Sequence, residues 1–339
     1  MKGAVLREFK TPLVIEEIER PAPAPEEIVI QVEACGVCHS DLHVADGDWP
    51  QFAKIVKKPL IPGHEVVGRI VEKGQAVRDL QVGDRVGLGW IHWTCGDCEL
   101  CRGGNENLCP SQKITGVTVD GGYAEFVRVP ASHALRVPGG LPPADVAPLF
   151  CAGVTVYRAL QKSKIAANQR LAVFGVGGLG HLAVQIGRGL GAEVIAVDIS
   201  EEKLALARSL GAASTVNAMA TKDALRQLRG QGGAHVALVT SASKAAYDMA
   251  FAAVRPTGTL LVVGLPAENV CFPALLMAGG EIHVHASAVG TREDTRNVLA
   301  MAAAGQVRCH VTARPLADAN DALEQLRRGQ VSGRIVLVP

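Results

Sequence analysis

With 339 residues, 48% apolar and 20% charged, the chain has the length for two domains and is too apolar to be disordered. Its 34 basic and 33 acidic residues nearly cancel, and aromatic residues make up only 4%. That balance argues against a nucleic-acid partner, an acidic membrane surface or a platform for stacking bases. The longest stretch free of Lys, Arg, Asp and Glu, Leu171–Gly187, holds five glycines, a His and a Gln, so no transmembrane helix and no membrane partner are expected. Met1–Glu8 lacks the apolar run of a signal peptide, which makes the cytoplasm the expected location. Nine cysteines in that compartment point to metal binding or catalysis rather than to disulfides.

Along the chain, Arg20–Pro25 alternates Pro with Ala and reads as an extended connector. Short β-like runs follow at Glu27–Ala34, Glu65–Val71, Arg85–Leu88 and Tyr123–Val129, broken by Gly and Pro, and predict an irregular, mostly antiparallel domain. Near residue 150 the rhythm changes. Continuous apolar runs at Leu171–Phe174, Val194–Val197, Val236–Val239 and Leu260–Val263 suit strands buried on both faces. Helical patterns lie between them, as at Lys244–Val254 and at Glu201–Leu210, which opens after Ser200 and closes before Gly211. Alternating strands and helices predict a doubly wound parallel sheet. From about Gly290 the pattern departs again, with helices near Thr295–Ala304 and Ala317–Arg328 and a strand at Arg334–Val338 that suits either domain.

Cys95, Cys98, Cys101 and Cys109 follow C-x2-C-x2-C-x7-C. Cysteines at steps of three in a short loop aim several thiolates at one centre, as a tetrahedral zinc requires. An iron–sulfur cluster also takes four thiolates and is the competing reading; closed four-sulfur coordination favours zinc in a structural role.

Gly175-Val176-Gly177-Gly178-Leu179-Gly180 fits G-x-G-x-x-G directly after an apolar strand. The pattern alone describes any tight strand-to-helix turn. Here the next strand ends in Asp198, 18 residues past Gly180, where the dinucleotide fingerprint needs an acid. The glycines let backbone N–H groups and a helix N-terminus reach a pyrophosphate, and Asp198 would accept ribose hydroxyls and repel a 2′-phosphate, so NAD is expected over NADP.

Cys38, His64 and Cys151 are far apart, and spacing does not join them. A single Cys is commonly a small core hydrophobe and a single His a structural residue. What joins them is a resemblance carried by Cys35-Gly36-Val37-Cys38-His39-Ser40-Asp41-Leu42-His43, Gly47-Asp48-Trp49-Pro50, Pro62-Gly63-His64-Glu65, Val82-Gly83-Asp84-Arg85-Val86, Cys151-Ala152-Gly153-Val154-Thr155-Val156-Tyr157 and Val289-Gly290-Thr291-Arg292, together with the cysteine loop and glycine turn. Across essentially its whole length the chain resembles the zinc-dependent medium-chain alcohol dehydrogenases, above all the yeast and bacterial ethanol-type enzymes.

The resemblance implies a mostly β, GroES-like catalytic domain over 1–150 with two zinc sites, a Rossmann NAD-binding domain over 151–288, and a segment 289–339 returning to the first. It implies one catalytic and one structural zinc per chain, the catalytic one held by Cys38, His64 and Cys151 with an open position for the substrate. Asp41 would orient His64, Glu65 would approach the metal during ligand exchange, and Ser40 and His43 would carry the alcohol proton away. His39 and Arg334 match pyrophosphate contacts, Lys203 a ribose contact, and Thr155 and Val263 the nicotinamide neighbourhood. Trp49 and Trp90 match walls that narrow the substrate pocket toward small primary alcohols. The implied activity is hydride transfer between an alcohol and NAD, in a homo-tetramer. Relatives acting on larger or aromatic alcohols, or a catalytically silent relative, are the rival readings. The chain departs from the family at Ser40, where many relatives have Thr, at Trp93-Thr94, and at Ile282–Ser287. Cys35, Cys271 and Cys309 have no assigned role and read as buried thiols.

Overall fold

The structure, a computed structural model, describes residues 1–339 other than Ala220, Gln231 and Ala267, and all side chains of the described residues except those of Gln51 and Thr221. The chain divides into two compact units. One comprises Met1–Cys151, Thr291–Ala303 and Cys309–Pro339; the other comprises Ala152–Gly290 and Ala304–Arg308. The breaks thus fall one and two residues beyond the expected 150 and 288, and the segment 289–339 splits. Its piece Ala304–Arg308 belongs to the second unit because Gln185 brackets Arg308: the side-chain amide donates to Arg308 O at 2.9 Å and the amide oxygen accepts Arg308 N–H at 3.0 Å.

The first unit is organised by its longest strand, Glu27–Gly36, which pairs antiparallel with Val66–Lys73, Phe126–Pro130 and Arg334–Val338. Ile28, Val29, Ile30 and Val32 are buried, and the two-residue period of a pleated strand shows only from Ile30 to Ala34, where Gln31 and Glu33 face outward. Register places Cys35 opposite Val66, so both strands enter or leave the sheet at one end, and the residues just outside it, Cys38 and His64, meet there. The strand predicted at Tyr123–Val129 begins only at Phe126, because Gly121, Gly122 and Tyr123 hydrogen-bond instead to Ile61, Gly63 and Pro62 at 2.7–3.0 Å. The final strand, Arg334–Val338, joins this unit, paired in parallel with Val311–Pro315.

The second unit is a parallel sheet whose described strands begin, in spatial order, at Ser214, Glu193, Arg170, Ala234, Val254 and His283. Arg170–Phe174, Glu193–Asp198 and Ala234–Val239 are central and covered on both faces, which explains their unbroken Val, Leu and Ala. The direction of winding reverses between the strands beginning at Arg170 and Ala234, and a crevice at the carboxyl ends of such strands is where this architecture binds ligands. Ser200 caps the helix Glu201–Ser209, its hydroxyl accepting Lys203 N–H at 3.4 Å, and Gly211 follows with φ +95°, as the sequence predicted. Strand Val254–Val262 stops one residue short of the predicted Val263. Cys35 and Cys309 are buried, but Cys271 is exposed: Val270 and Phe272 turn into the core, and the residue between them faces out.

Candidate active site

The helix His39–Asp46 starts immediately after Cys38, and its third residue starts it. The Asp41 carboxylate accepts the Cys38 backbone N–H at 3.0 Å, satisfying a donor at the helix entrance. The same carboxylate accepts His64 Nδ1–H at 2.8 Å and the Tyr123 hydroxyl at 2.9 Å. All three residues are essentially inaccessible to solvent. Asp41 therefore fixes the backbone entering one metal-type side chain and the ring of another. Burial and the Asp41 charge push the Tyr123 phenol far up, so it remains a donor.

A short 3₁₀ turn, Ala147–Phe150, delivers Cys151 to the same place. Cys38 Sγ stands 4.0 Å from Cys151 Sγ, and His64 Nε2 stands 3.2 Å from Cys151 Sγ. With Glu65, these residues offer ligand atoms all within 4.8 Å of one another. Zn–S bonds of about 2.3 Å and Zn–N bonds of about 2.0 Å put tetrahedral neighbours about 3.5–3.8 Å apart, so the donor set fits one zinc with shifts of a few tenths of an ångström. His64 Nδ1 is committed to Asp41, which leaves Nε2 for the metal. Donation from Cys151 holds the Cys38 thiol well below its ordinary value, and the same contact, with burial, pushes Cys151 up.

Glu65 and Arg334 lie beside this cluster, 0% and 3% exposed, with their charged ends hydrogen-bonded. Burial raises the Glu65 carboxyl to about 7 despite Arg334. Glu65 Oε2 and Arg334 Nε find no hydrogen-bond partner among the described residues. Arg334, expected against a pyrophosphate, pairs with Glu65 through one guanidinium nitrogen.

Aromatic rings line the same unit. Trp90 meets His64 edge-on at 4.9 Å, Phe52 lies 6.0 Å from Trp90 and 5.4 Å from Trp49, and Trp49 stacks on His43 at 4.6 Å. Phe52 and Tyr123 were missed by sequence reasoning; Phe52 sits three residues from Trp49, a spacing that puts neighbours on one face of the short helix Pro50–Ala53. Ser40 and His43 are likewise three apart on one helix, His39 is exposed, and His43 Nδ1 stands 3.1 Å from Asp48 Oδ2.

The four-cysteine lobe is built locally. Cys98 precedes the turn Glu99–Arg102 and its sulfur accepts Cys101 N–H at 3.4 Å. Cys95 Sγ lies 3.5 Å from Cys109 Sγ and 3.9 Å from Cys101 Sγ. None of the four is in a disulfide. Burial, then hydrogen bonds with the neighbouring sulfurs of Cys98, Cys109 and Cys95, pushes the Cys101 thiol up to about 12.

In the second unit, the glycine turn has the shape its sequence predicted. Gly175 takes φ +93°, and a Cβ on Gly180 would lie 1.8 Å from Gly175 O, so only glycine permits that helix-to-strand approach. A Cβ on Gly177 would meet nothing within 4 Å, which is the room a pyrophosphate needs. His181 Nδ1–H donates to Gly177 O at 3.0 Å, a support the sequence reading missed. Gly178 and Leu179 complete the turn into the helix Gly180–Gly189. Asp198 accepts Val176 N–H at 2.6 Å on one oxygen and Ile199 and Ser200 N–H at 2.8 and 3.0 Å on the other. Thr155 lies in the helix Ala152–Ser163, Lys203 in the first turn of Glu201–Ser209, and Val263 directly after its strand.

Comparison with known proteins agrees with this chemistry. Residues 24–139 match the alcohol dehydrogenase GroES-like domain, and residues 178–304 match the zinc-binding dehydrogenase family. An alcohol dehydrogenase of Geobacillus stearothermophilus is 45% identical over 338 residues, 99% of this chain and 98% of the relative. Among solved structures, the alcohol dehydrogenase of the hyperthermophilic archaeon Aeropyrum pernix superposes with a TM-score of 0.92 at 35% identity, over 100% of both chains. An acetophenone reductase from Geotrichum candidum, solved in complex with NAD, superposes at 0.90 and 29% identity, over 100% of this chain and 97% of its own.

Proposed function

The chain belongs to the zinc-dependent alcohol dehydrogenases of the medium-chain family, and from that premise we propose how its residues divide the work. It is an NAD-dependent oxidoreductase that transfers a hydride between an alcohol and NAD, giving the aldehyde or ketone. Cys38, His64 and Cys151 would hold the catalytic zinc; their convergence in a buried corner is the observation that carries the assignment. A zinc with three protein ligands supplies Lewis acidity that lowers the pKa of an alcohol hydroxyl in its open position. Asp41 holds the His64 ring so that Nε2 faces Cys151 and would be a ligand to the metal. Ser40 takes the hydroxyl proton, and His43, on the same face of the same helix and partly open to solvent, passes it to water. Glu65, with a pKa near 7 and one oxygen unpartnered among the described residues, would be available to the metal during ligand exchange, with Arg334 balancing its charge.

Trp90, Phe52 and Trp49 form a run of aromatic rings beside His64, which supports small primary alcohols over bulky ones. Cys95, Cys98, Cys101 and Cys109 hold a second, structural zinc with no open position. In the second unit, Gly175–Gly180 cradles the NAD pyrophosphate, Asp198 and Lys203 take the adenosine ribose, and Thr155 and Val263 border the nicotinamide. His39 is exposed, and it would contact phosphate. A homo-tetramer is supported by Leu265, Leu275 and Leu276, 53–81% exposed in the unit that carries the edge strand His283–Ala286. Cysteines free of disulfides support a cytoplasmic location.

The test is a panel of ethanol, 2-propanol and benzyl alcohol with NAD, with and without a zinc chelator, beside metal counts for wild type and Cys151→Ser. Two zincs falling to one in the variant, with activity lost, is the expected result. Turnover that survives complete metal removal, or a Cys151→Ser protein that keeps both metals, would refute the assignment.

A further inference from the structure

Tyr123 is 0% exposed, lies between the strands of the first unit, and has a hydroxyl with one partner of consequence, Asp41 Oδ2 at 2.9 Å. Asp41 Oδ2 also accepts the Cys38 N–H, while Oδ1 takes the His64 ring. A carboxylate turning about its own axis would trade these partners; a third donor, fixed in space, prevents the turn. Tyr123 is that donor, and its backbone is itself fixed, because Tyr123 N–H bonds Pro62 O at 3.0 Å and Gly122 N–H bonds Gly63 O at 2.8 Å. Its ring lies against Gly63, where a Cβ would come within 2.3 Å of the ring carbon. One side chain thus braces both the residue before His64 and the carboxylate that orients His64.

We propose that Tyr123 is a positioning residue for the metal ligands, locking the Asp41 carboxylate so that His64 and Cys38 keep their ligating geometry. The proposal rests on the reading of Cys38, His64 and Cys151 as metal ligands. Its force lies in the hydroxyl: Tyr123→Phe keeps the ring on Gly63 and removes only the bond to Asp41. Partners that orient a ligand typically govern metal affinity by 10–100-fold, and one step further out the lower end of that range applies.

The experiment follows release of cobalt, loaded in place of zinc, to an excess of chelator, together with the cobalt absorption spectrum. Cys151→Ser, which holds metal only at the four-cysteine lobe, supplies the baseline. Tyr123→Phe should fold with an unchanged circular dichroism spectrum, release the non-lobe cobalt about tenfold faster and shift its absorption bands. Its KM for NAD should stay at the wild-type value while kcat falls. In an Asp41→Asn background, adding Tyr123→Phe should accelerate release no further, because the effect passes through the carboxylate. Unchanged release and spectrum in Tyr123→Phe would overturn the proposal, as would an equal acceleration in the Asp41→Asn background, which would assign the effect to ring packing. If wild type and Cys151→Ser release metal identically, the ligand assignment itself fails, independently of Tyr123.

Discussion

Arg292 clasps Glu106 with its whole guanidinium edge and its backbone. The backbone N–H reaches Glu106 Oε1 at 2.8 Å, Nε reaches both oxygens at 3.0 Å, and the outer nitrogen reaches Oε2 at 2.5 Å. A further donor from the same guanidinium goes to Ser132 O at 2.7 Å. Glu106 lies in the cysteine lobe between Cys101 and Cys109, and Arg292 opens the helix Arg292–Ala303, so this pair fastens the lobe to the body of its unit. Fork-to-fork geometry makes it a strong charge-assisted contact.

Replacing Glu106 by Gln keeps the volume and removes the charge. Hydrogen bonds to charged groups contribute about 1.5–3 kcal/mol, so the variant should lose about 2 kcal/mol in urea unfolding. The lobe thiols should also become faster to react with a thiol reagent. A stability within about 0.5 kcal/mol of wild type would mean the clasp is ornamental.

The other flank of the lobe is held by His133, whose Nε2 accepts Thr94 N–H at 3.1 Å, just before Cys95. Burial, aided by Arg292, lowers its pKa to about 4. The unfolded ring titrates near 6.5, so below that pH the unfolded chain binds a proton that the folded one refuses. The neutral-ring stability, complete above about pH 6.5, should fall by about 2 kcal/mol at pH 5. Measured as the difference between wild type and His133→Gln across pH 7 to 5, a flat line would contradict it.

Asp198→Gly removes the acid that would meet a 2′-phosphate. The preference for NAD over NADP in kcat/KM should shrink by about 10–100-fold, the scale of one or two charged hydrogen bonds. Because Asp198 also holds Val176 N–H, the absolute KM for NAD should rise as well. An unchanged ratio would remove Asp198 from cofactor choice.

Ser40→Ala deletes the proposed first proton acceptor while sparing the helix that carries it. Turnover should drop by about 100-fold or more, in line with general acid–base contributions, with NAD binding by fluorescence nearly unaltered. Full turnover would show that the proton leaves by another route.

The sequence disclosed what is local. The cysteine lobe and the glycine turn are legible because their groups lie within one loop or one strand-to-helix turn, and their spacing alone specifies the geometry. Cys38, His64 and Cys151 are joined by sheet register and a 3₁₀ turn, so only family resemblance could group them. Tyr123 and the Glu106–Arg292 clasp depend on packing between distant segments, and no period or spacing announces them, whereas only the three-residue step from Trp49 hints at Phe52. Strands Ser214–Asn217 and Val311–Pro315 escaped notice because they lie at sheet edges and carry polar residues. Arg334 matched a phosphate-binding position by family pattern, and its pairing with Glu65, 269 residues away, had no signal in the spacing.

Chain separation also orders assembly on the ribosome. The four lobe sulfurs lie within 14 positions of one another, close enough to capture a metal ion soon after they leave the exit tunnel. The buried site has no such independence: its sulfurs are 113 positions apart, and Glu65 waits 269 residues for Arg334. On the proposed assignment the lobe can therefore take its metal from one short stretch of chain, whereas the buried site must wait for Cys151 and for the strands that bring Cys38 and His64 together, and a cell short of metal would accumulate chains that are half-furnished and inactive.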